Sequence, residues 1–144
     1  MNKIVGISRH HHAATAYLEN GEIHYFINEE RLCRKKYDGI PILGLLKLKN
    51  SITDLVVCGF KKPNNLSSEV DTETTHTLYD NLIGKTVNQK QDFRLHNYWN
   101  THHLMHAWGA FYNSGFTKAV SMVFDGSGSY HNDGEEIESH YIMN

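Results

Sequence analysis

A chain of 144 residues with 40% hydrophobic residues is long enough for one packed core and short for an enzyme that must clamp two substrates. Its formal net charge of −2 leaves no basic footprint for nucleic acid, because the Arg34-Lys35-Lys36 patch is too short to track a phosphate backbone. No apolar run reaches the roughly 20 residues of a membrane span, MNKIVGIS opens a strand instead of a signal peptide, and Cys33 and Cys58 form neither a disulfide framework nor a zinc knuckle, so a soluble cytoplasmic protein is expected.

In chain order, KIVGIS (3–8) reads as a short buried strand ending in small residues. AATAYLENGEIHYFINEER reads as two strands about an Asn20-Gly21 turn, the strongest short hairpin signal. GIPILGLLKLKNSI favours a short helix, with Pro41 near its start and Leu43, Leu46 and Leu48 at near-helical spacing, and DLVVCGF a buried strand. From about 61 to 96 the composition turns polar, and an irregular excursion with one short helix is expected. Residues 97–112 make the best helix, with Leu104, Trp108 and Phe111 as its packing stripe and His102, His106 and Gly109 nearly opposite. KAVSMVFDGSGS is a strand entering a Gly-rich loop, and EEIESHYIMN is a further alternating strand. The order predicts an α/β fold with a mixed sheet and flanking helices, patterned like the opening half of an RNase-H-like (actin-like ATPase) lobe.

Chemistry concentrates at four places. His102 and His106 stand at i and i+4, so on a helix both imidazoles project from one face and can share a metal ion; Asp125, at the end of the following strand, adds an oxygen. Such an N,N,O set suits iron, zinc or manganese, whereas the bland reading is an incidental surface pair. A zinc-protease HExxH is excluded because His103 follows His102 where a Glu is needed. Gly126, Ser127, Gly128 and Ser129 form a loop whose glycines let backbone N–H groups approach an anion and whose hydroxyls add donors, or else a plain polar turn; without a following Lys it is no Walker A. His12, after the first strand and beside the exposed neighbours expected at His10 and His11, can hydrogen-bond or protonate a phosphate or carbonyl oxygen. Arg31, Arg34, Lys35 and Lys36 form a cationic cluster that suits a substrate phosphate or simply a solvated loop.

Taken in order, GIS with His12 and its Ala/Thr run, NEERLCRKKYDGIP, HHLMHAWGAFYNSGF and VFDGSGS resemble the N-terminal part of the O-carbamoyltransferase family, which includes nodulation-factor and antibiotic-tailoring enzymes. The resemblance covers most of the chain outside the polar excursion. It implies a domain like the tRNA threonylcarbamoyl-adenylate ATPase-like fold that uses carbamoyl phosphate and ATP to make a carbamoyl-adenylate, from which the carbamoyl group passes to a hydroxyl-bearing small-molecule acceptor. By position it implies His102, His106 and Asp125 as ligands of a divalent metal, Gly126 to Ser129 as the nucleotide-phosphate loop, and His12 and Lys36 as carbamoyl-phosphate contacts, with His12 catalytic. Ala13 and Ala14 depart from the acidic or polar residue common after the corresponding His. The rest of the nucleotide lobe and the acceptor domain lie beyond this sequence, so a C-terminal lobe or partner chain is expected to complete the site. A sugar- or acetate-kinase-like phosphotransferase lobe shares the fold pattern but has no use for the HxxxH pair, and a non-catalytic metal-binding remnant would keep the metal without nucleotide.

Overall fold

The computed structural model describes residues 1–9, 12–59, 79, 81–87, 93–131 and 134–144. It divides into one unit of Met1–Cys58 with Asn65–Asn97 and a second of Gly59–Asn64 with Tyr98–Asn144. The His10 and His11 expectations lie outside the described residues, as does most of the polar stretch up to 78.

The first unit is built on a five-stranded mixed sheet in the order β3-β2-β1-β4-β5. Strands β1 (Lys3–Ser8), β2 (Ala14–Glu19) and β3 (Glu22–Asn28) form an antiparallel meander, and β4 (Asp54–Cys58) pairs in parallel on the other edge of β1. The β2–β3 turn is made by Asn20 and Gly21 at φ 52° and 87°, the two left-handed residues that the Asn-Gly signal demands. Val5 and Ile7 of β1 and Leu55 and Val57 of β4 face one core with Tyr17, Leu45, Leu48 and Ile52. Period-2 alternation puts these side chains on the same face.

Among the described residues, three short helices complete this unit. Helix α1 (Glu29–Cys33) follows β3 directly, so the Arg31 and Arg34 cluster rides on a helix end rather than a loop after a strand. Helix α2 (Ile42–Leu45) starts after Pro41 as expected but ends before Leu46 and Leu48, and its buried leucine is Leu45 while Leu43 and Leu46 are exposed. Its first-turn N–H groups are satisfied from a distance: the buried Glu29 carboxylate accepts from Leu43 N at 2.6 Å and Gly44 N at 3.0 Å, closing the loop between the helices. Helix α3, over 81–87, lies in the polar stretch where one helix was expected, and Tyr79 and Ile83 enter the core. The stretch is less irregular than its composition suggests, because β5 (Arg94–Tyr98) adds an edge strand. Asp54 on β4 ties that strand down: its carboxylate meets Arg94 Nε at 2.9 Å and His96 Nε2 at 2.8 Å and accepts from Thr53 Oγ1 at 2.7 Å. Burial alone would raise the Asp54 pKa, but these partners together hold it at about 2.

The second unit packs helix α4 (His102–Ser114) on a two-stranded antiparallel ribbon of β6 (Ala119–Phe124) and β9 (Glu138–Met143). A small hairpin, β7 (Tyr130–His131) with β8 (Gly134–Glu135), lies in the connection between them. Its core is Ala107, Phe111, Val123 and Met143, with Trp108 against it. The buried stripe of α4 therefore runs His103-Ala107-Phe111, one step round from the expected Leu104-Trp108-Phe111, because an imidazole occupies a position that an apolar pattern cannot mark. No helix among the described residues is long and apolar enough to cross a membrane. Neither cysteine is in a disulfide, and burial pushes the Cys58 thiol up to about 11.

Candidate metal centre and anion loop

The second unit brings the HxxxH pair and the end of β6 together. Helical spacing stacks His102 and His106 on one face, their rings 4.6 Å apart and nearly perpendicular. Asp125, the residue immediately after β6, points its Oδ2 to within 3.1 Å of His102 Nε2 and 3.5 Å of His106 Nε2, and the two Nε2 atoms are 3.1 Å apart. One donor atom from each residue thus falls within 4.8 Å of the others. Two imidazole nitrogens and one carboxylate oxygen converging in this way fit a first-row divalent metal as a partial ligand set. Burial, then the neighbouring His102, hold His106 below the ordinary histidine value against the opposing pull of Asp125, which favours the neutral, metal-binding imidazole. Burial pushes Asp125 up, but the His102 hydrogen bond, the Gly126 N–H and the two histidine charges outweigh it, so the net shift is down and the carboxylate form is favoured.

The Gly126–Ser129 loop follows directly and is wired to Asp125 and to Glu135 and Glu136, at the end of β8 and just beyond it. Gly126 N donates to Asp125 Oδ1 at 2.7 Å, Gly128 N to the Glu136 carbonyl at 2.8 Å, and Ser129 N to Glu136 Oε2 at 2.9 Å. Ser127 Oγ donates to the Glu135 carboxylate. Glycine is required at 128 by close approach: a Cβ there would stand 2.7 Å from His103 Nε2 and 2.6 Å from Glu136 Cβ. At Gly126 a Cβ would meet nothing.

Helix α4 draws its cap from this loop, since Thr101 makes no side-chain cap bond. His102 N donates to Ser129 Oγ and His103 N to Glu136 Oε2, each at 3.4 Å. His103 is fully buried; its Nδ1 shares a 2.8 Å hydrogen bond with Ser139 Oγ, while its Nε2 is buried with no hydrogen-bond partner. Glu136 also pairs with His131 at 3.3 Å. Burial raises the Glu136 pKa, but the Ser129 N–H, His131 and the His103 N–H outweigh it and the net shift is down. His103, Glu136 and Ser139 were not among the residues singled out from sequence. The run of adjacent histidines and a Glu seven residues beyond Ser129 are the only traces of them there.

A groove of about 400 Å³ opens beside the trio, lined by His106, Asp125, Ala110 and residues Ser121 to Phe124 of β6. Its walls come from α4, from β6 and from Asp125 just beyond it.

The remaining candidates belong to the first unit. His12 is exposed in the β1–β2 connection, with its ring 6.1 Å from that of Tyr37. Lys36 is exposed in the turn after α1, between Arg34 at φ 62° and Tyr37 at φ 59°, both in the left-handed region that costs a non-glycine residue about 1–3 kcal/mol. His12 and the Lys36 turn therefore meet at one corner of that unit.

No protein-family model matches the chain, and no curated protein matches it.

Proposed function

We propose that this chain is the N-terminal portion of an O-carbamoyltransferase with an RNase-H-like sheet, forming a carbamoyl-adenylate from carbamoyl phosphate and ATP and passing the carbamoyl group to a hydroxyl acceptor. The observation that carries the reading is the convergence of His102, His106 and Asp125 at the mouth of the Gly126–Ser129 loop. A ligand trio that opens straight into a glycine-containing turn is an arrangement suited to a metal-bridged phosphate. The mixed sheet supports the fold part of the reading, with an antiparallel meander on one side of β1 and a parallel β4 on the other.

His102, His106 and Asp125 would hold a divalent ion, which when bound stabilises the negative charge that develops on phosphoryl oxygens during adenylation. The chain's own residues supply positioning. The Glu29 carboxylate on the α2 N-terminus closes the loop that carries Lys36, and the ring of Tyr37, next in the chain, lies 6.1 Å from that of His12. There His12 would hydrogen-bond or protonate a carbamoyl-phosphate oxygen and Lys36 would neutralise its charge.

Metal content and calorimetric binding of ATP and carbamoyl phosphate, compared with a His102→Ala/His106→Ala double variant, test the reading. The expected result is metal in the unsubstituted chain and loss of metal and of ATP binding together in the variant. ATP binding that survives loss of both histidines would favour a kinase-like lobe. Metal retained without either ligand would leave a metal-binding module and overturn the transferase.

A further inference from the structure

His102, His106 and Asp125 reach their meeting point from different elements, the first two turns of α4 and the residue after β6, so the trio depends on how those two ends are held together. Core packing fixes the helix further along, through Ala107 and Phe111. At its start, Ser129 and Glu136 hold it. Ser129 is 0% exposed and its three polar groups are committed within the chain: its N–H donates to Glu136 Oε2 at 2.9 Å, its carbonyl accepts from Glu136 N at 3.0 Å, and its Oγ accepts from His102 N at 3.4 Å. Glu136 Oε2 accepts in addition from His103 N at 3.4 Å. The strand end is tied to the same stretch, by Gly128 N on the Glu136 carbonyl at 2.8 Å and Asp125 N on the Ile137 carbonyl at 3.0 Å. These ties also leave Asp125 to the imidazoles. A helix N-terminus with unsatisfied N–H groups attracts a nearby carboxylate. Here Ser129 and Glu136 take the His102 and His103 N–H groups, and Asp125 keeps Oδ1 on Gly126 N and Oδ2 beside both histidines.

We propose that Ser129 and Glu136 are positioning residues for the metal trio: by capping the first turn of α4 they set His102 and His106 against Asp125 before an ion arrives. The inference rests on the metal reading of that trio. Ser129 then acts through its hydroxyl behind His102, and Glu136 through the carboxylate oxygen it shares between the loop and the helix. Partners that orient a metal's ligands contribute about 10–100-fold to affinity although they do not touch the ion. The effect therefore belongs to binding of the ion and is separable from the stability of the fold.

Cobalt(II) is the probe, titrated into the full chain and followed by its d–d absorption, which reports the ligand set as well as the affinity. Ser129→Ala and Glu136→Ala should each bind it about tenfold more weakly, with a changed absorption band. Glu136→Gln, which keeps an acceptor oxygen, should retain most of the affinity. Ser114→Ala is the control: it removes a hydroxyl from the other end of the same helix, one that donates to the Phe111 carbonyl at 2.7 Å and accepts from Phe116 N at 3.0 Å, and it should leave binding unchanged. Undiminished affinity in folded Ser129→Ala and Glu136→Ala chains overturns the proposal. Equal weakening by Ser114→Ala also overturns it, by tracing the effect to general loss of helix stability. If the variants do not fold, the unsubstituted chain still decides. Its His102, His103 and Ser129 amides should resist hydrogen exchange before cobalt is added, and protection that arrives only with the ion overturns the proposal. The two readings fail separately. No cobalt binding by the unsubstituted chain sinks the metal reading and this inference together, whereas binding that ignores Ser129 and Glu136 sinks the positioning role alone.

Discussion

The two units present the same local device, a strand, a connection and an antiparallel return strand, in opposite conditions. In the first, β1 is flanked by β2 and by β4, and Ile7, one residue before the strand ends, is 2% exposed in a broad core. In the second, β6 has β9 as its one partner among the described residues, and Val123, the corresponding residue, joins a core of Ala107, Phe111 and Met143 while Val120, Met122 and Phe124 stand more than half exposed on the other face. The β1 connection is short and carries one candidate, His12; the β6 connection is long and cross-linked by Glu136 to itself and to α4. The contrast teaches that apolar burial organises the first unit, and hydrogen bonds around a loop organise the second. Chemistry-bearing side chains gather where the core is thin.

Core truncation should break that symmetry most. Ile7→Ala is expected to destabilise the first unit by about 2–5 kcal/mol, since a well-packed site cannot collapse around the lost atoms. Val123→Ala, in the smaller core, should cost about 1 kcal/mol. Both tryptophans, Trp99 and Trp108, belong to the second unit, so tryptophan fluorescence reads its unfolding while far-UV circular dichroism reads the whole chain. Equal shifts from the two substitutions, by both probes, would show that the burial difference does not govern stability. Next in size comes Gly128→Ala, expected to cost about 1–3 kcal/mol because the added methyl meets His103 Nε2 and Glu136 Cβ. It should speed hydrogen exchange at the Ser129 amide, whereas Gly126→Ala, where nothing lies within reach, should leave that amide protected.

Much of the first unit was legible in the sequence, and the reason is local. Asn20-Gly21 specifies its turn by backbone conformation alone, and the alternation in KIVGIS and DLVVC marks faces without reference to distant residues. Strand β5 was not legible, because RLHNY is polar and half exposed and owes its place to Asp54, some forty residues earlier. In the second unit the i, i+4 pair and Asp125 could be read, since a helix repeat and a strand end place them. The packing face of α4 could not, as it turns on a buried histidine whose partner is Ser139 on β9. Glu29 and Glu136 were invisible for a shared reason: each is an acidic residue in polar surroundings that caps a helix brought near only by the tertiary fold.

The polar ties of the two units differ as their cores do, and acid sharpens the distinction. Asp54, nearly buried, holds the edge strand of the first unit, while Arg94 reaches it from an exposed position, so part of the attraction is screened by water. Its folded pKa lies at about 2 against an ordinary 3.8. A depressed carboxyl stabilises the fold fully above the unfolded value and loses that contribution as pH falls toward the folded one. The first unit should therefore lose stability between about pH 4 and pH 2, and Asp54→Asn should flatten that limb while costing about 1 kcal/mol at neutral pH, less than Ile7→Ala in the same unit. Urea midpoints at stepped pH measure it, with exchange at the β5 amides reporting the strand itself. An acid limb that survives in Asp54→Asn would move the acid sensitivity away from this clamp. It would then fall to the carboxylates of the second unit, Glu136 and Asp125, whose pKa values are also held down.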